Sequence, residues 1–184
     1  AFPLARYHEK KTAVGAKLAD KEYKVRSTHP APVTISSKEI HSLNAVGILL
    51  DNGFLWYADL KEAWMAQASL RKTDLTGADL SGANLYAANL SEAYLWETDL
   101  SGATLWQANL YKADLRGTNL NRATLLEANL SGASLCHSVD LRGAILRKAN
   151  LSGTTLEETL FLDGTDLRGV KGLTKEQLAT CKAK

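Results

Sequence analysis

Histidine and cysteine are the residue types with which this chain could perform nucleophilic or metal-dependent chemistry. Neighbouring residues of an extended strand point apart, so the adjacent Cys136 and His137 are not expected to form a nucleophile–base pair. No two of these residues have the spacing of a zinc site, and no phosphate-binding loop or serine-hydrolase motif occurs. We therefore predict no catalytic residue, no bound metal and no cofactor, and hence no enzyme. The residues concerned are His8, His29, His41, Cys136, His137 and Cys181.

The two cysteines are too few for a disulfide framework. A single disulfide between Cys136 and Cys181 and a pair of free thiols are both compatible with the sequence. We favour two buried thiols, because free cysteine behaves as a small apolar side chain and is commonly buried.

Composition and charge are those of one ordinary domain. The chain has 184 residues, of which 45% are hydrophobic and 23% charged, with a net charge of +2. This balance predicts no nucleic-acid partner, and no run of about eighteen apolar residues is present to span a bilayer. The one methionine is Met65, so the sequence begins without an initiator. That start fits a processed protein of an exported compartment, periplasm or thylakoid lumen, and also a cytoplasmic chain cut at its start.

An apolar residue recurs every five positions through most of the chain. The series begins at Leu55 and ends at Leu167, with one-residue slips after Leu135 and after Phe161. We call the apolar residue of each five-residue repeat its centre. The series has 23 centres, 21 of them leucine. Two residues before each centre stands a small residue, which is alanine at 15 positions and threonine at 6. Asp or Asn often lies between them, as in Ala78-Asp79-Leu80.

A period of five matches neither a helix nor a strand. In a helix the leucines would wander around the axis, and in a strand successive leucines would alternate between the two faces. A chain that turns a corner every five residues could instead point every centre and every small residue inward. We therefore predict that leucines such as Leu80 and Leu110 fill a narrow interior with no room for a substrate cavity.

This pattern covers about two thirds of the chain and resembles that of the pentapeptide-repeat family. The resemblance implies an all-β fold, a right-handed quadrilateral β-helix with four repeats in each coil, so that residues twenty apart stack and each coil supports its neighbours. We interpret the stacked Asp and Asn residues as partners of the turn backbone rather than as a site. One such stack is Asp59, Asp79, Asp99, Asn119 and Asp140.

The two ends of the chain differ from the repeat in composition. Ser36 and Glu39 have the spacing of a capping box, which predicts a short helix at about 37–46 over the first coil. Thr174 and Gln177 have the same spacing and predict a terminal helix. We predict an N-terminal extension and helical cap at 1–50, the β-helix at 51–170 and a C-terminal capping helix at 171–184.

Large apolar side chains occupy outward positions on two sides of the predicted β-helix. Contiguous apolar patches commonly mark contact sites, and Trp and Tyr are frequent interface anchors. We name the first set the interaction stripe and predict that it contacts a protein partner or a second copy of the chain: Trp64, Tyr86, Trp106, Leu126 and Ile145. The second set, the second aromatic surface, is a secondary candidate that we expect the N-terminal segment to cover: Phe54, Trp56, Tyr57, Tyr94 and Trp96.

The predicted function is a non-catalytic scaffold for protein–protein interaction, with no small-molecule substrate. Some pentapeptide-repeat proteins imitate DNA and act on type II topoisomerases such as gyrase, which is the alternative. Mimicry needs a strongly acidic surface, because phosphate charge dominates what a DNA-binding enzyme recognises. Residues 54–170 contain 14 acidic against 10 basic residues, which makes the alternative the weaker prediction.

Overall fold

The structure, a computed structural model, describes Gly47 and residues 49–156 and 161–177. Parallel β-bridges join residues twenty positions apart along most of this chain, for example Asp59 to Asp79. Two bridges in succession define strands β1 (Ser134–Leu135) and β2 (Thr155–Leu156), which pair in parallel. The backbone therefore returns to the same side every twenty residues, as predicted, and we call each such passage a coil.

Backbone hydrogen bonds tie each coil to both of its neighbours. The amide of Leu60 donates to the carbonyl of Asp79 one coil later, at 2.8 Å. The amide of Asp79 in turn donates to the carbonyl of Ala58 one coil earlier, at 3.0 Å. Because this alternation recurs in successive coils, it satisfies backbone groups whose unpaired burial would be costly.

The core is a stack of leucines. Leu80 and Leu110 are fully buried, which confirms the inward orientation predicted for the centres. A twenty-residue coil with a centre every five residues has four columns of centres. Leu50 is also buried, so the core begins one repeat before the predicted first centre. We number the columns by their first members, Leu50, Leu55, Leu60 and Met65, as columns 1 to 4.

The small residues two positions before the centres also point inward. Alanines there, such as Ala63 and Ala108, have no exposed surface. Three of the four buried threonines at this position donate their hydroxyls to the carbonyl of a centre in the preceding coil, while Thr154 donates to Leu151 in its own coil. Thr73 bonds Leu50 at 2.6 Å in this way, so the polar group is paired inside the core.

A tight turn separates successive five-residue segments. In each turn an amide bonds the carbonyl three residues earlier, as Ala58 does with Leu55 at 3.2 Å. The residue before that amide has a positive φ, 51° at Tyr57 and 65° at Gly77. A Cβ at Gly77 would lie 2.4 Å from Cε1 of Tyr57, so a larger residue there would have to displace this exposed ring.

The Asp and Asn residues before the centres bond the turn backbone, which confirms their structural interpretation. Asp79 Oδ1 accepts a 2.9 Å hydrogen bond from the amide of Ser81, two residues later. Asparagines in column 1 also form an amide ladder: Asn129 Nδ2 donates to Asn109 Oδ1 at 3.1 Å, and Asn109 Nδ2 donates to Asn89 Oδ1 at 3.3 Å.

The first slip lies where it was predicted. Bridges after it join residues twenty-one apart, Asn119 to Asp140 and Thr124 to Ile145. Val139 takes the small-residue position and is fully buried. The extra residue is accommodated in a bend where His137 and Ser138 both have positive φ angles, 58° and 66°.

The placement of the second slip was wrong. Phe161 was predicted to be an inward centre, yet it is 47% exposed and pairs with Asp140, while Leu162 is the buried residue. The slip therefore falls between Leu156 and Leu162, and not after Phe161. The register set by Asp140 places Phe161 outward, where its ring centroid lies 5.5 Å from the guanidinium carbon of Arg142.

At the C-terminal end a helix begins at residue 175 and is described through 177. The predicted capping box is confirmed: Thr174 N donates to Gln177 Oε1 at 2.9 Å, and Gln177 N donates to Thr174 Oγ1 at 3.1 Å. The helix predicted at 37–46, the rest of the predicted N-terminal extension before Gly47, and the chain beyond Gln177 lie outside the described residues. In the described part, no helix is long and apolar enough to cross a bilayer.

Ion pairs on the outer surface of the last coils join aspartates to arginines two residues later. Arg168 Nη2 lies 2.6 Å from Asp166 Oδ2, and Nε lies 2.9 Å from Oδ1. This hydrogen-bonded pair lowers the pKa of Asp166 from 3.8 to about 2. Because the pKa is depressed in the folded chain, the pair stabilises the fold above the unfolded pKa, and that contribution is lost as the pH falls from about 4 to about 2.

We expect Arg168→Gln to raise the pKa of Asp166 towards 3.8, because the strongest partner of the carboxylate is removed. A carboxyl-carbon NMR titration would measure the shift. Thermal stability at neutral pH should change little, since solvent screens an exposed ion pair of this kind. Arg122→Gln is the matched control, because Arg122 forms no ion pair within the described chain. An unchanged pKa of Asp166 in Arg168→Gln would contradict this assignment.

Candidate interaction surface

Outward side chains come from the residue before each centre and from the two residues after it. Residues at equivalent positions stack from coil to coil because the bridges hold them in register. Each column of centres therefore carries outward columns of side chains along its length. The inward residues are nearly the same in every coil, so the residues that could give this protein a specific function are the outward ones.

The interaction stripe lies along column 4. Tyr86, Trp106 and Leu126 each follow a centre in successive coils, and the ring centroids of Tyr86 and Trp106 are 5.3 Å apart. Trp106 is 40% exposed, while Tyr86 and Leu126 are half-buried. The structure thus brings these three side chains into one row.

Trp64 and Ile145 precede their centres and lie in the adjacent outward column. Both are exposed, at 47% and 38%. Three polar residues, Asn84, Thr104 and Thr124, separate them in that column. The predicted stripe is therefore an apolar row of three side chains beside a mainly polar row. That second row has one apolar residue near each of its ends.

A hydrogen-bonded polar chain borders the stripe. Tyr86 Oη donates to Gln107 Oε1 and Gln107 Nε2 donates to Glu127 Oε2, both at 3.2 Å, and Lys148 Nζ bonds Glu127 Oε1 at 3.4 Å. Hydrogen bonds from Gln107 and Lys148, with a further one from Trp106, lower the pKa of the Glu127 carboxyl. These bonds orient the rim next to Trp106, and this rim was missed in the sequence because it depends on contacts between coils.

The second aromatic surface lies along column 2. Phe54 and Trp56 in the first coil meet edge to face, with ring centroids 5.7 Å apart and an interplanar angle of 84°. Tyr94 and Trp96 lie two coils later and are 53% and 49% exposed. The coil between them carries no aromatic residue on this side, so two aromatic rows flank a row of smaller side chains.

The indole N–H of Trp56 is shielded from solvent and has no hydrogen-bond acceptor among the described residues. Leaving a buried donor unpaired costs about 1–3 kcal/mol. This surface therefore contains one polar group that an additional acceptor would satisfy.

The expectation that Cys136 and His137 point apart was wrong. His137 Nδ1 lies 3.1 Å from Cys136 Sγ. The expectation assumed a strand, whereas these residues occupy the bend of the first slip, where the positive φ of His137 turns the chain. The thiol is buried, with Cys136 only 6% exposed, while His137 is exposed. Cys181, the other half of the possible disulfide, lies outside the described residues.

A depression of about 560 Å³ lies on the outer surface of the later coils. Its lining is mainly polar and contains no histidine, cysteine or tyrosine: Glu127, Ala128, Asn129, Lys148, Asn150, Ser152 and Lys171. Among the residues that the structure describes, no group of three or more His, Cys, Asp or Glu side chains could hold a metal ion.

The family is decided by the repeat itself. Overlapping matches to the family described as "Pentapeptide repeats" cover residues 57–171. The chain belongs to the pentapeptide-repeat family. It is accordingly a β-helix repeat protein, and the twenty-residue coil accounts for its bridges. No curated protein sequence matches the chain significantly.

Several solved pentapeptide-repeat structures resemble this chain. A protein from the Arabidopsis thaliana thylakoid lumen has a TM-score of 0.53 and 29% identity, over 54% of this chain and 68% of its own. HetL, involved in heterocyst differentiation regulation in the cyanobacterium Nostoc sp. strain PCC 7120, has 34% identity over 69% of this chain and 70% of its own, with a TM-score of 0.39. Rfr23 from the cyanobacterium Cyanothece 51142 has 39% identity over 55% and 60%, with a TM-score of 0.34. The solved structures that resemble this chain thus include plastid and cyanobacterial proteins.

Proposed function

We propose that this pentapeptide-repeat protein is a non-catalytic scaffold that presents the interaction stripe to a protein partner. The proposal takes the coils to form the right-handed, four-sided β-helix of the family, closed at its C-terminal end by the helix that begins at residue 175. Leucines fill the interior, so the outer wall is the surface left for function. The lateral backbone groups are already bonded between coils, so recognition by added β-strand pairing along the sides is disfavoured.

The row of Tyr86, Trp106 and Leu126 is the observation that carries the proposal. Trp106 contacts Tyr86 on one side and is 40% exposed, and the rim of Gln107, Glu127 and Lys148 borders it. An exposed aromatic anchor beside an ordered polar rim is the usual arrangement of a protein-binding hot spot.

Trp106→Ala should weaken partner binding by roughly 30-fold or more, because truncating a hot-spot tryptophan costs about 2 kcal/mol or more. Its melting temperature should stay close to wild type, because the side chain is outward. Affinity capture followed by mass spectrometry would identify the partner, and titration with the purified partner would give the affinity. Light scattering would test a second copy of the chain as the partner.

Trp96→Ala is the matched control, since Trp96 is also exposed but lies on column 2. It should retain the partner that Trp106→Ala loses. Equal capture by both variants, or equal loss from both, would contradict the assignment of the stripe.

DNA mimicry directed at a type II topoisomerase is less well supported by the surface charge. The acidic column Asp59, Asp79 and Asp99 continues with the neutral Asn119, and Asp140 is bonded by Arg142 at 2.6 Å. A continuous negative stripe along the coils is therefore interrupted after the third coil. Inhibition or protection of gyrase in a supercoiling assay would support this alternative.

A further inference from the structure

The first three coils carry a group of carboxylates that lack ion-pair partners within the described chain. Six carboxylates on columns 2 and 3 of these coils form no ion pair within the described chain: Asp59, Glu62, Asp74, Asp79, Glu97 and Asp99. By contrast, Glu92, Asp114, Glu127, Asp140 and Asp166 all pair with Lys or Arg. Asp51 on column 1 and Asp163 in the last coil also form no ion pair there, so six of the eight unpaired carboxylates lie in one region.

These carboxylates adjoin the second aromatic surface. Tyr57 is followed two residues later by Asp59, and Trp96 is followed directly by Glu97. Asp59, Asp79 and Asp99 form one bridged column, and Phe54, Asp74 and Tyr94 form another. Lys61 is the one basic residue within this region. Negative charge and exposed aromatic rings together favour Lys and Arg side chains, through ion pairing and through cation–π contact.

We propose that the occupant of this surface is the chain's own segment of residues 1–46, bound as a basic strap. That segment contains eight Lys and Arg against four Asp and Glu, so its charge complements the surface. Six of its basic residues, from Lys10 to Arg26, fall within seventeen positions. The proposal assigns this surface to the chain itself, goes beyond the scaffold function, and leaves the interaction stripe on column 4 for a partner.

The point of attachment makes this contact accessible. The described chain starts at Gly47, whose amide donates to the carbonyl of Ala66 in the first coil at 2.9 Å. Phe54 and Trp56, the first members of the second aromatic surface, follow within ten residues. A 46-residue segment spans far more than the ~10 Å between the first and third coils. A tether of this kind keeps the strap at an effective concentration of the order of millimolar.

The surface also offers groups that a bound strap would satisfy. Glu62 and Glu97 are exposed and form no hydrogen bond within the described chain. One oxygen of Asp79 accepts from the amide of Ser81, and its other oxygen has no partner there. The shielded indole N–H of Trp56 lacks an acceptor, which a backbone carbonyl of the strap would supply.

Zero-length carbodiimide cross-linking of the full-length chain, read by mass spectrometry, tests the strap. We expect amide links from lysines of residues 1–46 to the six unpaired carboxylates, in preference to exposed carboxylates elsewhere such as Asp163. An equimolar mixture of ¹⁴N and ¹⁵N protein would show these links within one chain. Mixed-isotope links would instead place the segment on a second copy and overturn the proposal.

The double variant Glu62→Gln/Glu97→Gln should lower the yield of links to the unaltered Asp79 and Asp99 by at least about twofold, since each surface ion pair contributes modestly. Glu92→Gln is the control, because Glu92 already pairs with Arg71 and Lys72, and it should leave that yield unchanged. Links spread evenly over the surface, or no links from residues 1–46, would overturn the strap and leave this face free for a basic partner. Neither result bears on Trp106→Ala, so the two proposals fail separately.

Discussion

Leu110→Ala should reduce the free energy of unfolding by about 2–5 kcal/mol, the range for removing a buried leucine side chain. Leu110 has no exposed surface and lies in the middle of column 1, with leucines of the same column in the coils before and after it. The coils are held in place by backbone bonds to both neighbours, so they cannot readily collapse into the space left behind. For a domain of this size, such a loss corresponds to a fall in melting temperature of roughly 4–20 °C.

Leu126→Ala is the matched control, because the same atoms are removed from an outward, half-buried position. Its free energy of unfolding should change by a smaller amount, about 1 kcal/mol or less. Thermal melting monitored by circular dichroism, with chemical denaturation for the free energies, would compare the two. Equal losses would mean that the interior does not depend on tight leucine packing.

Ala108→Leu is expected to destabilise the fold far more than Ser101→Leu. Ala108 points inward and is fully buried between neighbouring coils, so three added carbons would have to displace leucines or separate the backbone. Overpacking of this kind costs about 1–3 kcal/mol, and more where the surroundings cannot shift. Ser101 points outward and is half-buried, so leucine can lie on the surface there.

Melting temperatures of the two leucine variants would test the narrowness of the interior. The added side chain is identical, so helix or strand propensity and unfolded-state effects are nearly matched. If Ser101→Leu melted as early as Ala108→Leu, the inward and outward assignments would be reversed or meaningless.

Local rules explain which features could be predicted from the sequence. Where a five-residue segment has one large apolar residue at the repeating position, as at Leu80, the period alone identifies the buried centre. The bonds of Asp79 to its turn and of Thr174 to Gln177 depend only on residues two or three positions apart. Such features follow from the chain itself and need no knowledge of neighbouring coils.

The errors occurred where the five-residue period breaks. At the second slip, Leu160, Phe161 and Leu162 are three apolar residues in succession, so hydrophobicity alone does not identify the inward one. Pairing of Phe161 with Asp140 decides the register, and that is a contact between distant residues. At the first slip, the strand rule for Cys136 and His137 failed because the extra residue bends the backbone.

The side-chain contacts of the outer wall could not be derived from the sequence for the same reason. Whether a carboxylate is paired depends on which cation lies in the next coil, as with Glu127 and Lys148, or two residues along, as with Asp166 and Arg168. Residue counts record only the total charge. The contrast between the unpaired carboxylates on columns 2 and 3 of the first three coils and paired ones such as Asp114 and Asp140 appears only when the contacts are known.

The two repeat lengths of the molecule, five residues for the interior and twenty for the outer wall, restrict insertions and deletions in different ways. An added or deleted five-residue unit preserves the leucine core, yet it moves every later outward residue to the next column. Tyr86 and Trp106 would then no longer share a row if such a unit entered between them. A change of twenty residues preserves both, so the length of the protein can vary by whole coils without scrambling the pattern that its surface displays.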